Sequence, residues 1–139
     1  MLSFFREGNP ARKSGEDVIN QFMVISTIVF FIILSILVLV HEFGHFIAAR
    51  RAGVWVEEFG LGIPPRIFGK KIGETIYSLN LFPFGGFVKL HGEEDDKKLA
   101  KPQRAFLNKS MCAPVVIILA GVFMNFVLAV FLISILFSV

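Results

Sequence analysis

The stretch FMVISTIVFFIILSILVLVHEFGHFIAARR, residues 22–51, decides the fold. From Phe22 to Val40 it runs for 19 residues without a charge, and only Ser26, Thr27 and Ser35 interrupt its apolar character. A core helix of a water-soluble protein keeps a polar face. A signal peptide has an apolar core of only about 7–15 residues, followed by small residues at a cleavage site. Neither description fits a run that follows a charged head and ends in two histidines and a glutamate. About 20 apolar residues cross a bilayer as helix, so residues 22–51 are expected to form a transmembrane helix. At 1.5 Å per residue this segment is roughly 45 Å long against a hydrocarbon core of about 30 Å, which leaves Arg50 and Arg51 at the headgroups.

A second uncharged run, the 25 residues Val115–Val139, predicts another span over 113–139. Pro114 suits the first turn of such a helix. The composition agrees, with 55% hydrophobic residues and a mean hydropathy of +0.71. Net charge is only +3, so its distribution carries more than its size. Arg50, Arg51, Arg66, Lys70, Lys71, Lys89, Lys97, Lys98, Lys101, Arg104 and Lys109 lie between the two runs, while the head holds Arg6, Arg12 and Lys13. The positive-inside tendency then places the loop 52–112 in the cytoplasm and both termini outside, in a cell inner (plasma) membrane. These basic residues flank spans and alternate with acids, so no nucleic-acid partner is implied. One cysteine, Cys112, leaves no internal disulfide.

The remaining segments are shorter. Residues 1–21, with Gly8, Pro10 and Gly15, predict a flexible head. Residues 54–91 are aromatic and β-branched, broken by Gly and Pro, and predict a small antiparallel β-insertion. In Tyr77-Ser78-Leu79-Asn80-Leu81 the apolar residues alternate with polar ones, as in a half-buried strand. A turn near Lys70–Glu74 is expected to join two strands, with Pro83–Gly86 ending the second. Phe59, Leu61, Ile63, Phe68, Phe82, Phe84 and Phe87 exceed what so small a sheet can bury, so they pack on the helices or meet the membrane interface. Residues 92–112 predict a charged cytoplasmic loop. The fold class is thus an α-helical multi-pass membrane protein, two transmembrane helices with a β-insertion between them.

The chemistry-bearing residues close the first span. In His41-Glu42-Phe43-Gly44-His45 the two histidines are four apart, hence on one helix face, and can grip one Zn²⁺. Glu42 stands one step round the helix, placed to act as general base without being a ligand. Three ionisable residues directly after an uncharged run are costly in a membrane unless something pairs with them, and a metal does so. Two unrelated, hydrogen-bonded histidines are the bland alternative. The extended HExxHxxGxxH pattern is excluded, because Ala48 and Arg51 occupy its later positions.

With HEFGH at the end of the first span, the block FGLGIPPRIFGKKIGETIYSLNLFPFGGFVKLHGE after it and AGVFMN in the second, the chain resembles the site-2 protease family of intramembrane zinc metalloproteases, in its bacterial regulator-cleaving branch. The resemblance covers most of residues 30–130. It implies one Zn²⁺ per active site, a transmembrane protein substrate, and regulated intramembrane proteolysis within or near the bilayer. It also implies a third ligand, an aspartate on a later helix, and often a PDZ region. Asp17, Asp95 and Asp96 suit no such place, so the chain is expected to be the N-terminal part of a longer protease whose C-terminal part is its partner. Gly121 and Asn125 resemble the family's Gly-xxx-Asn element, although Val122 replaces its usual proline. Asn125 then becomes a candidate contact to substrate or transition state, against plain helix packing.

Weaker candidates follow. His91 is expected to face solvent, Trp55 to anchor at the interface, and Glu57 and Glu58 to lie on the sheet surface. Tyr77–Leu81 is a candidate substrate-docking strand, since an unwound substrate needs new backbone partners, with Gly85 and Gly86 permitting close approach. The rival to a protease is a non-hydrolytic membrane scaffold or metal-binding fragment.

Overall fold

The computed structural model describes residues 10–93 and 100–138, with side chains from residue 15. Helix α1 spans Pro10–Arg51, strands β1 and β2 span Val56–Ile72 and Thr75–Leu90, and helix α2 spans Cys112–Leu136. Two single-turn 3-10 helices, Pro102–Arg104 and Phe106–Asn108, precede α2. Of the expected flexible head, residues 10–21 are helical, and Pro10 opens α1 where a missing N–H costs nothing. The rest of that head, and residues 94–99 of the charged loop with Asp95 and Asp96, lie outside the described residues.

The chain divides into two units, residues 1–33 and 34–139. In the first, the α1 side chains from Gly15 onward are exposed, and Thr27 Oγ1 donates to the Met23 carbonyl at 2.8 Å. Two helices are long and apolar enough to cross a membrane, Gly15–Arg51 and Cys112–Leu136.

The second unit holds the packing. Gly44 makes the approach of α1 to α2 close, because a Cβ there would lie 2.4 Å from the Ala120 carbonyl oxygen. A core of Phe46, Ala49, Val54, Val56, Leu90 and Ile117 joins the end of α1, the sheet and α2. Phe46 centres it, with Phe59 at 5.2 Å and Tyr77 at 6.1 Å between ring centroids. Such contacts add to the area that each ring removes from solvent.

β1 and β2 pair antiparallel, turning at Gly73 and Glu74 as expected. The ribbon then folds over itself. Glu58 to Leu61 pair with Lys89 to Gly86 on one side, and on the other with Ile76 to Leu79, which run in the same direction. Ile76–Leu79 are in turn paired with Lys71–Phe68. Pro83–Gly86 is therefore a bend within β2 and does not end it.

The alternation in Tyr77–Leu81 is present with its faces exchanged. Ser78 and Asn80 are 7% and 3% exposed, while Leu79 and Leu81 are 45% and 51% exposed. The polar side chain goes inward because the backbone supplies acceptors there: Asn80 Nδ2 donates to the Gly62 carbonyl at 3.1 Å. Ile63, Ile67, Phe68 and Phe82 also face outward, whereas Phe59 packs on α1.

Candidate metal centre

His41, Glu42 and His45 lie within about one turn of α1, all half-buried, and the two histidines face α2. Their rings stand edge to face, centroids 4.7 Å apart. His45 Nδ1 is 2.7 Å from the Ile117 carbonyl oxygen. That carbonyl can only accept, so His45 donates from Nδ1, and in the neutral ring this leaves the Nε2 lone pair for a metal.

Gly121 of α2 shows where the free nitrogens point. A Cβ placed on it would lie 2.5 Å from His45 Nε2 and 2.7 Å from His41 Nε2. Both nitrogens therefore aim at one spot that only a glycine leaves open, and this donor pair fits a zinc ion. Among the described residues no third His, Cys, Asp or Glu joins them in a metal-holding group. The Glu42 carboxylate lies against the Val88 backbone N–H. A Cβ on Gly86 would lie 3.7 Å from Glu42 Cγ. A cavity of about 390 Å³ opens beside Glu42 and His45, bordered by Phe87, Val88, Glu93 and Ile118. The larger cavity, about 730 Å³ between Gly44, Ala48, Phe123 and Met124, contains none of these groups.

A model of peptidase family M50 matches residues 29–139. The chain belongs to this family. It is 50% identical over 95 residues to a candidate zinc metalloprotease, so named, of Clostridium perfringens, covering 68% of this chain and 28% of that protein. A similarly named protein of Vibrio cholerae is 45% identical over 107 residues, 75% of this chain and 24% of that one. One of Chlamydia pneumoniae is 38% identical over 125 residues, covering 80% and 20%. The M50 chain thus spans between a fifth and three tenths of the length of these relatives.

The other candidates of this M50 chain fall as follows. Asn125 lies within the site, its Nδ2 3.4 Å from His41 Nδ1. Tyr77, Ser78 and Leu79 each have strand partners on both sides, so in the candidate docking strand Tyr77–Leu81 only Asn80 and Leu81 are not flanked on both sides among the described residues. No second strand lies beside Gly86–Leu90 among the described residues. Leu90 N donates to Glu93 Oε2 at 3.4 Å, its carbonyl accepts from Glu93 N at 3.3 Å and the Val88 N–H meets Glu42, which leaves Gly86–Val88 as the more open stretch of this edge. Sequence reasoning missed it because an edge is a property of the pairing and not of any residue. The Ile117 carbonyl was missed for the same reason.

His91 is buried and not solvent-facing. Its Nδ1 is 2.6 Å from Glu57 Oε1, its Nε2 accepts from the Lys101 backbone N–H at 3.2 Å, and it packs on Trp55. Trp55 itself is engaged, donating from Nε1 to the Glu74 carbonyl at 2.9 Å. Glu58, expected on the surface, is buried and paired with Arg66. Glu74 receives Lys101 Nζ at 2.7 Å and Arg104 Nη1 at 2.6 Å. These hydrogen bonds, Lys101 first, lower its pKa from the usual 4.5 to about 2.

Proposed function

We propose that this chain is the metal-binding part of a zinc endopeptidase that hydrolyses transmembrane proteins, with the loop 52–112 cytoplasmic and both termini outside. The observation that carries the proposal is the convergence of His41 Nε2 and His45 Nε2 on the space in front of Gly121, with Glu42 beside them. Family membership and the relatives' names support zinc and peptide hydrolysis. Two spans of bilayer length support the membrane setting.

His41 and His45 hold the metal. Zinc, when bound, supplies Lewis acidity that polarises a carbonyl and makes water a better acid. Glu42, one position from a ligand, takes the proton from the attacking water and delivers it to the leaving amine. The Val88 N–H steadies the carboxylate against the strand edge. A substrate segment unwound from its helix lacks backbone partners. The edge Gly86–Val88 offers its remaining backbone groups within reach of Glu42, by strand addition. Outward-facing Phe82, Phe68 and Ile63 suit the adjoining membrane interface.

The test is Glu42→Gln in the detergent-solubilised protein, beside His41→Ala and His45→Ala. The Gln variant keeps wild-type zinc content and loses cleavage of a transmembrane substrate, while both Ala variants lose the metal. Zinc loss in the Gln variant, or full zinc in the Ala variants, refutes the assignment of roles.

A further inference from the structure

The two histidines are supported unequally. His45 gives its Nδ1 proton to a backbone carbonyl, which can do nothing but accept. His41 has instead the side-chain amide of Asn125, four residues beyond Gly121 on α2, with Nδ2 at 3.4 Å from its Nδ1. The other atom of that amide, Oδ1, is buried without a hydrogen-bond partner.

The orientation of the amide decides the chemistry of the ring. If Nδ2 donates to His41 Nδ1, the ring proton sits on Nε2, which is the nitrogen aimed at Gly121. That tautomer offers no lone pair to a metal. Turning the amide by half a rotation exchanges two atoms of nearly the same shape. Oδ1 then accepts the Nδ1 proton, and Nε2 of His41 matches Nε2 of His45. Either orientation leaves one amide atom without a partner among the described residues, so it is the ring that separates them.

We propose that Asn125 is a positioning residue, whose side-chain carbonyl accepts the Nδ1 proton of His41 and thereby keeps Nε2 free for the metal. This rests on the metal-binding function proposed above. It adds a task for Asn125 that packing or substrate contact does not require. Partners of ligating histidines typically change metal affinity by about 10–100-fold when removed.

The experiment is a competitive zinc titration of the detergent-solubilised protein, with the cobalt(II) absorption spectrum as a second readout, on wild type, Asn125→Asp and Asn125→Leu. Asp keeps the acceptor and has no N–H, whereas Leu keeps the size and has neither. The expected result is zinc affinity at or above wild type for N125D, with an unchanged cobalt spectrum. N125L should bind about 10–100-fold more weakly with an altered spectrum. Wild-type affinity in N125L overturns the proposal. A loss in N125D overturns it too, since that is the mark of a donating amide, and this arm stands even if N125L does not fold. Zinc binding that survives His41→Ala refutes the metal site itself. Zinc that depends on His41 but not on the acceptor at position 125 refutes only the positioning role.

Discussion

Gly121→Ala is the most direct test of where the two histidines point. The added methyl carbon would lie 2.5 Å from His45 Nε2 and 2.7 Å from His41 Nε2 and Cε1. Ordinary contact between heavy atoms is about 3.5 Å or more, so the rings or α2 must yield by about 1 Å. Neither ring has an easy route, because His45 is tied to the Ile117 carbonyl and the helices already meet at Gly44 and Ala120. Overpacking of this kind costs typically about 1–3 kcal/mol. The methyl and the metal need the same space, so metal binding bears most of that cost. At 1.36 kcal/mol per tenfold, zinc affinity should fall roughly 5–150-fold. A competitive zinc titration reads the affinity, and thermal unfolding of the metal-free protein serves as control. Wild-type zinc affinity in Gly121→Ala would show that the two nitrogens do not share a focus at α2, and the metal assignment would lose its main support.

Four further outcomes are expected. Phe46→Ala should destabilise the fold by about 3–5 kcal/mol, measured by denaturant unfolding in detergent, because Phe46 joins α1 to the sheet. Val88→Pro removes the N–H that faces Glu42, so cleavage should drop about 2–10-fold at unchanged zinc content if one backbone hydrogen bond to the base or substrate is lost. The Glu74 carboxyl is held at about 2 against an ordinary 4.5, so its contribution is fully present above pH 4.5 and lost as pH falls towards 2. Fluorescence of the single tryptophan, Trp55, should follow that loss over this window, and Glu74→Gln should remove the transition. With exposed Cys112 replaced, a cysteine at Glu93 should react with an impermeant reagent only once the cytoplasmic face is opened; labelling from outside intact cells contradicts the proposed topology.

Much of the fold was legible because uncharged apolar runs of this length leave few alternatives to a long helix, and Phe22–Val40 and, from the second run, Val115–Leu136 lie within the helices found. The spacing of His41 and His45 was legible for a similar reason, since one helical turn fixes which side chains share a face. The sheet was legible in kind but not in facing. Alternation in Tyr77–Leu81 gives a period of two whichever side is buried. In water the apolar residues go inward, yet here Ser78 and Asn80 do; Asn80 Nδ2 finds backbone acceptors there, while the buried Ser78 hydroxyl has no partner among the described residues. His91 looked like a loop histidine because Glu57 and Trp55, which help to enclose it, are far away along the chain. The partners of the two site histidines lie 72 and 84 residues away. No local pattern encodes such distances.

The hydrogen bond from the Lys101 backbone to His91 Nε2, at 3.2 Å, brings the two ends of the intervening chain together. Each end is also fastened separately, His91 by Glu57 and Lys101 by Glu74. Whatever lies between them begins and finishes at nearly the same point, so its length does not alter the separation of the helices. Closing a longer loop costs only about 0.6 kcal/mol for each doubling. His91 and Lys101 therefore act as a clasp, holding the sheet to the approach of α2 independently of the chain that joins them.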